Sequence, residues 1–224
     1  MPLPIMPQET VRKSAKEHVY DTLRDWIVDG TLAPGEKLVD SNIASYFSVS
    51  RTPVREAILA LENQKLVEIL PGKATIVSYF DIKSIYSLYT AISYLHQNAL
   101  AVAYPYINQE IINKLISINE RYLNHTAEEK PYKIDLEFHQ VFFDIADNAY
   151  FSKFKEELEL HAIRVENQFF KSDNNSQKSY QDHKKIIDCL VNKDLEGAKK
   201  NIENNFMYTA YQVCDNGSEL TDNK

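Results

Sequence analysis

The first 79 residues contain three segments with helical hydrophobic spacing, followed by two short segments of strand-like composition. Apolar positions recur every three or four residues over 15–29, again after a cap at Asp40 or Ser41, and from about 50 to 64. The β-branched runs LVEIL and ATIVSY follow, and the tripeptide PGK joins them, which predicts a β-hairpin.

From residue 80 onward the pattern changes to long amphipathic helices without strands. Six helices are predicted, over 81–103, 108–124, 131–147, 150–171, 176–192 and 194–213. The chain is therefore expected to be mainly α, with an N-terminal domain of three helices and a hairpin over 1–79. An all-α helical bundle is expected over 80–217, with a frayed tail at 218–224.

The order of three helices and a hairpin predicts a winged helix-turn-helix, in which the third helix docks in the major groove of DNA. The chain has a net charge of −7, which at first argues against a nucleic-acid partner. However, residues 1–79 carry 9 Lys or Arg and 10 Asp or Glu, which leaves 16 and 22 for the remainder. Because the acidity lies in the second half, the local placement of basic residues must decide.

Two arginines stand one helical turn apart at the leading end of the third predicted helix. Arg51 and Arg55 can each contact a guanine edge or clamp a phosphate, because the guanidinium is a planar fork of donors. Ser50 and Thr52 can cap the helix or donate hydrogen bonds to phosphate. The alternative is that two exposed arginines merely solvate the helix.

The tip of the predicted hairpin offers a second contact with DNA. Gly72 lets the backbone approach closely and Lys73 supplies positive charge. The stretch VDSNIASYFSVSRTPVREAILALENQKLVEILPGKATIV resembles the DNA-binding domain of GntR-type bacterial transcriptional regulators, a match that covers about residues 12–79. Many members of that family carry an arginine at the start of the second helix, where this chain has DSN, so weaker phosphate anchoring is expected there.

Several polar side chains in the helical half occupy positions expected to face inward. Asp135 and His139 are one turn apart in KIDLEFHQVFFDIA, and His183 and Asn205 lie on apolar stripes of later helices. A carboxylate and two imidazoles could bind a divalent metal, or they could be buried groups that are satisfied by hydrogen bonds.

The segments DLEFH and DHKKIIDCLVNKDLEGAKKNIENNF resemble the helical, FCD-type effector domain of the FadR subfamily. In members with an Asp and three His around a metal, the matching positions are Asp135, His139, His183 and Asn205. The resemblance implies a zinc or nickel ion held by the first three. Asn205 is a weak fourth position, since an amide oxygen is a poorer donor than imidazole and leaves an opening for water.

The resemblance also implies a small-molecule effector pocket. Members that bind small carboxylates often carry an arginine where this chain has Tyr89 and a glutamate where it has Ser93. Both lie on one inward stripe with His96. Without the arginine fork the preference for a carboxylate weakens, although His96, His161 or Arg164 could substitute. The alternative is a wet core with no ligand.

The sequence as a whole predicts a cytoplasmic DNA-binding regulator that works as a homodimer on a palindromic operator, with no membrane segment and no enzymatic activity. Cys189 and Cys214 form no disulfide framework and no metal motif. Two alternatives remain: a metal-dependent hydrolase that carries a DNA-binding domain, or a helical half that serves only for protein contact.

Overall fold

The structure, a computed structural model, describes residues 13–124, 131–169 and 176–217. Contacts divide the chain into two compact units, Met1–Tyr79 and Phe80–Lys224. The predicted frayed tail at 218–224 lies outside the described residues.

The first unit is built on helix α1 and its packing against helix α3. Its described elements are α1 (Ala15–Val28), β1 (Lys37–Leu38), α2 (Asp40–Tyr46), α3 (Arg51–Asn63), β2 (Val67–Leu70) and β3 (Ala74–Val77). A capping box between Ser14 and Glu17 begins α1. The apolar faces of the two helices form the core, through Val19, Leu23, Ile27, Val54, Ala57, Ile58 and Leu61. The helical spacing in the sequence predicts this face correctly.

The described sheet has three antiparallel strands in the order β1-β3-β2. Strands β2 and β3 form the predicted hairpin, with Val67 opposite Val77. Strand β1 adds a third strand, pairing Lys37 with Ile76, where the sequence predicts a short extended segment after a Pro-Gly turn but not its pairing. The wing is therefore anchored on both sides of β3.

Neither predicted cap in this unit makes a side-chain capping hydrogen bond, although Ser50 does hold the N-cap position of α3. Helix α2 begins at Asp40 itself, and the N-cap residue is Val39, which makes no side-chain capping bond. Ser50 is the N-cap of α3, but its hydroxyl makes no capping hydrogen bond either. Asp40 instead lies in the first turn of α2, where its negative charge interacts favourably with the positive end of the helix dipole.

The described part of the second unit consists of six α-helices. They are α4 (Ile82–Ala103), α5 (Gln109–Asn124), α6 (Pro131–Ala146), α7 (Ala149–Phe169), α8 (Ser176–Val191) and α9 (Leu195–Gly217). A short 3₁₀ turn, Tyr104–Tyr106, separates α4 from α5. The long α4 packs against α6, α7 and α9, while α8 packs against α5 and α9. Among the described residues, no helix has the length and apolar character needed to cross a bilayer.

Two apolar clusters form the core of the bundle. The larger is centred on α5, α6 and α8 and includes Leu100, Leu115, Phe138, Phe142, Ile186 and Ile202. The smaller joins α4, α7 and α9 and includes Ile85, Tyr89, Ile92, Val165 and Ala210. Phe206 packs against both clusters. Its ring also contacts those of His96 and His139, so polar side chains are buried beside this junction.

We expect Leu115→Ala to lower the free energy of unfolding by about 2–5 kcal/mol, because it empties a fully buried position in the larger cluster. The neighbouring Ile116 is 37% exposed, so Ile116→Ala should cost under about 1 kcal/mol. Urea denaturation followed by far-ultraviolet circular dichroism measures both. Equal losses in the two variants would contradict this packing of α5.

Candidate nucleic-acid interface and metal centre

Helix α3 buries one face in the core of the first unit and exposes the polar residues at its N-terminal end. Val54, Ala57 and Ile58 turn one side of the helix into the core of the first unit. Ser50, Arg51, Thr52 and Arg55, the predicted contacts with DNA, are all exposed. The structure thus brings four groups that can contact phosphate or base edges together at one end of one helix.

The turn between β2 and β3 is open to solvent. Gly72 has φ +70°, and nothing lies within 4 Å of the point where a Cβ would project. The backbone N–H of Lys73 donates to the carbonyl oxygen of Leu70 at 3.0 Å and closes the turn. Both predicted tip residues are exposed, as contact with a phosphate backbone requires.

Arg55 has a partner that its sequence position does not reveal. Its Nε donates to Oδ2 of Asp40 at 2.8 Å, across the turn between α2 and α3. The side chain of Arg55 remains 66% exposed, whereas that of Asp40 is 29% exposed. The bond uses one of five guanidinium donors and leaves the terminal nitrogens to contact DNA. Asp40 therefore orients Arg55, and it also places a negative charge beside it.

In the second unit, three predicted metal ligands converge. Asp135 and His139 on α6 and His183 on α8 each offer one donor atom, and these atoms lie within 4.8 Å of one another. Nε2 of His183 is 3.3 Å from Oδ1 of Asp135, and Nε2 of His139 is 4.0 Å from Oδ2. Metal–nitrogen bonds of about 2.0–2.1 Å place neighbouring donors roughly 3–3.5 Å apart. The Asp135–His183 pair already has this spacing, and His139 would have to move closer to share the same ion.

His183 gives an independent test of that fit. The residue is fully buried, and its ring stacks on Phe138 with a centroid separation of 3.8 Å. Within the described chain, neither ring nitrogen makes a hydrogen bond of good geometry. The carboxylate of Asp135, 3.3 Å from Nε2, is thus a poorly aligned partner, and coordination to a metal would satisfy that nitrogen better.

The protonation states at this centre suit a cation. Burial by itself would raise the pKa of Asp135, but interactions with His183, His139 and Tyr122 outweigh it and hold that pKa well below its usual range. Burial lowers the pKa of His139 to about 4, so the imidazole is neutral at neutral pH. Both groups are therefore already in the form that binds a metal.

Asn205 occupies the fourth side of the cluster. Its Oδ1 lies 3.2 Å from Nε2 of His139. Tyr122 on α5 is a further member that the sequence does not indicate, and its hydroxyl donates to Oδ1 of Asp135 at 3.2 Å. No local pattern marks Tyr122, because its partner lies in another helix.

The five predicted effector residues do not gather at one place. Of the five, only His96 lines the cavity beside the metal centre. The hydroxyl of Tyr89 donates to Oε1 of Glu166, a residue of the cavity wall, at 3.4 Å. The hydroxyl of Ser93 donates to the carbonyl oxygen of Thr90 in its own helix. His161 and Arg164 are absent from the cavity wall, and the Arg164 guanidinium lies 4.4 Å from the ring centroid of Phe80.

Two acidic residues of α7, Glu159 and Glu166, line the cavity, and the sequence interpretation missed both. Burial raises the pKa of each, that of Glu166 to about 8. Nζ of Lys155 is 2.6 Å from Oε1 of Glu159 and opposes the shift there. The cavity itself is small, about 20 Å³.

Comparison with known proteins agrees with both units. The family model described as "Bacterial regulatory proteins, gntR family" matches residues 15–77, and the FCD domain model matches residues 87–205.

Individual relatives match over most of the chain. An uncharacterised HTH-type transcriptional regulator of Bacillus subtilis, YdhC, is 24% identical over 189 residues, which are 82% of this chain and 84% of that protein. The Uxu operon regulator of Haemophilus influenzae is 26% identical over 216 residues, covering 86% and 79% of the two chains. The solved structure of Escherichia coli McbR/YncC has the same fold, with a TM-score of 0.67, 19% identity and coverage of 90% and 99%.

These matches confirm the predicted winged helix-turn-helix and helical effector domain. They also exclude the alternative of a hydrolase, because the family consists of transcriptional regulators and not enzymes. The chain belongs to the GntR family of bacterial regulatory proteins, as a DNA-binding transcriptional regulator whose helical unit is an FCD domain.

Proposed function

We propose that this regulator binds a palindromic operator as a homodimer through residues 1–79. In the same proposal, residues 80–217 dimerise the protein and make DNA binding respond to a metal and a small-molecule effector. The observation that carries the DNA-binding part is the exposed end of α3, where Arg51 and Arg55 face away from the core. Genomic footprinting of the bound DNA tests it, since an imperfect inverted repeat is expected.

The dimer follows from the geometry of recognition. One α3 helix reads only a few base pairs, and a two-fold symmetric pair of helices reads two half-sites about one helical turn apart. Such a regulator acts where the chromosome lies, so we place it in the bacterial cytoplasm.

The donor atoms of the FCD domain are of the kinds that bind a divalent metal ion. Asp135, His139 and His183 would hold a zinc or nickel ion, with the amide oxygen of Asn205 as a weak fourth donor. When bound, the ion would crosslink α6 and α8 and leave a coordination position for water or a ligand. The observation that favours this site over a purely structural cluster is that neither ring nitrogen of buried His183 makes a well-aligned hydrogen bond, although Nε2 lies 3.3 Å from Asp135.

The arginines of α3 should carry the affinity for the operator. We expect Arg51→Ala and Arg55→Ala each to weaken operator binding by about 1–3 kcal/mol, because each removes a base-edge or phosphate contact. Lys73→Ala should weaken specific and nonspecific binding equally and lower the salt slope by about one unit. Fluorescence anisotropy measures these effects, with Lys114→Ala, an exposed lysine of α5, as the control. Unchanged affinity in both arginine variants would contradict the docking of α3.

Removal of the Asp40 carboxylate should have the opposite effect on random-sequence DNA. Asp40→Asn keeps the size of the side chain but removes the negative charge beside Arg55. We expect tighter nonspecific binding by about 0.5–1 kcal/mol and poorer discrimination between operator and random DNA. Asp25→Asn, which removes an exposed carboxylate from Arg24 in the same unit, is the matched control. If both variants gain equally, net charge explains the result and the orienting role of Asp40 is wrong.

The fourth metal position is tested by Asn205→His. We expect the substitution to tighten zinc or nickel binding about tenfold or more, because imidazole is the stronger donor and the other ligands are already placed. Added metal should raise the thermal unfolding temperature of both proteins, and more for the variant. Asn204→His adds an imidazole at an exposed neighbouring position and should bind no more tightly than the unmodified chain. The metal site would be refuted if the purified protein held no stoichiometric ion and neither zinc nor nickel shifted unfolding.

A further inference from the structure

One side of helix α4 is exposed and carries no charge beyond Lys83 in its first turn. Between residues 84 and 102 its exposed side chains are those of serine, tyrosine, alanine, asparagine and valine. Tyr86, Tyr94 and Val102 are 44%, 57% and 43% exposed. The exposed sides of α5, α7 and α8 carry lysines and acidic residues instead. Aromatic residues are enriched and charged residues depleted at the centre of protein interfaces, so this side of α4 has the composition of an interface.

Five residues on this side form a ridge along the helix, which we call the α4 ridge. They are Tyr86, Thr90, Tyr94, Asn98 and Val102, each four residues from the next. Residues at this spacing lie in one row on a helix surface, and such a row packs into the groove beside the matching row of a second helix. At a rise of about 1.5 Å per residue the ridge is about 24 Å long, and Tyr94 is its middle residue.

A groove of about 430 Å³ runs beside the α4 ridge, between α4 and α9. Tyr86, Thr90 and Tyr94 line it from α4, and Tyr208 and Tyr211 line it from α9. The ring centroids of Tyr86 and Tyr211 are 6.1 Å apart. The α4 ridge is therefore one wall of the groove, and the ridge and the groove form a continuous surface rich in tyrosine.

The charged residues of the groove wall are paired within the chain. Lys178 contacts the carboxylate of Asp182, and Nζ of Lys200 donates to Oε2 of Glu203 at 3.1 Å. Nζ of Lys178 also lies 4.4 Å from the ring centroid of Tyr208. Because each lysine has an acidic partner, the groove has no excess charge with which to select an ionic ligand. Its chemistry instead suits aromatic and uncharged polar side chains, which are those of the α4 ridge itself.

The distribution of charge favours a second copy of this chain as the occupant. Residues 80–224 carry 16 Lys or Arg and 22 Asp or Glu, a net charge of −6, so two copies repel each other over most of their surfaces. A two-fold symmetric contact brings a patch against the same patch of the other copy. An uncharged ridge can meet its own counterpart without placing like charges together, which a charged face cannot do.

We propose that the α4 ridge and the groove beside it form the homodimer interface of this FCD domain, with the ridge of each copy packed against the groove of the other. This proposal rests on the homodimer proposed above, to which it assigns a surface. Tyr94 is the middle residue of the ridge, so in a two-fold contact it lies closest to the symmetry axis and faces its own counterpart in the second copy.

The first test measures the dimer dissociation constant of the full chain by sedimentation equilibrium. Tyr94→Glu should raise that Kd about 100-fold or more, because it places two negative charges together at the symmetry axis. Tyr94→Phe keeps the ring and should leave the Kd within about threefold of the unmodified chain. Phe154→Glu is the matched control, since Phe154 is a 50% exposed aromatic residue of α7 outside the groove wall, and it should leave the Kd unchanged.

The second test uses the symmetry of the contact. Tyr94→Lys alone should also weaken the dimer, because it places two positive charges at the axis. An equal mixture of the Tyr94→Glu and Tyr94→Lys proteins should form a heterodimer, since each lysine then faces a glutamate. Circular dichroism checks that both variants are folded, which is expected because Tyr94 is exposed.

The proposal is overturned if Tyr94→Glu and Phe154→Glu give the same dimer Kd, in which case the homodimer stands and its interface lies on another surface. It is also overturned if both residue-94 variants are monomeric and their mixture stays monomeric, because the contact is then not two-fold at this residue. An unmodified chain that is monomeric while it binds operator DNA refutes the homodimer itself, and the groove then serves another partner.

Discussion

The helical domain depends on satisfying a small set of polar side chains that it buries. Asp135, His139, His183 and Asn205 come from three helices, and Tyr122 adds a fourth. Buried polar groups destabilise a protein unless they find partners, and here most of the contacts join different helices, as those of Asp135 with His183 and Tyr122 do. The relative placement of α5, α6, α8 and α9 is thus tied to the interactions of this cluster. A ligand or ion that changes those interactions acts on four helices at once.

In the DNA-binding unit, the constraint is that helix α3 buries one face in the core and leaves the other face exposed. Helix α3 has its apolar residues on one side, so the arginines of its first two turns cannot reach the core. The capping groups that the sequence suggests are not used, and Asp40 binds Arg55 instead. An exposed ion pair adds little stability. Its effect therefore lies in the geometry and charge of the surface that meets DNA.

The sequence predicts those features that are encoded locally. The faces of α1 and α3 follow from apolar spacing, and Asp135 and His139 share a face because they are four residues apart. Prediction from the sequence fails where the interacting residues are distant along the chain. Strand β1 pairs with β3 across 39 residues between Lys37 and Ile76, which no local pattern reveals. Glu159 and Glu166 look like ordinary acids of a solvated helix, and only the packing of α7 shows that they line a cavity.

Asp135 belongs to the metal donor set and also lines the cavity beside it. A divalent ion on Asp135 would cancel the negative charge of this carboxylate and so change the electrostatic field that a ligand in the cavity meets. Linkage is reciprocal, so a ligand whose affinity depends on that ion would change the affinity for the ion by the same factor. The charge of the side chains around one carboxylate therefore determines whether metal and effector assist or oppose each other in this domain.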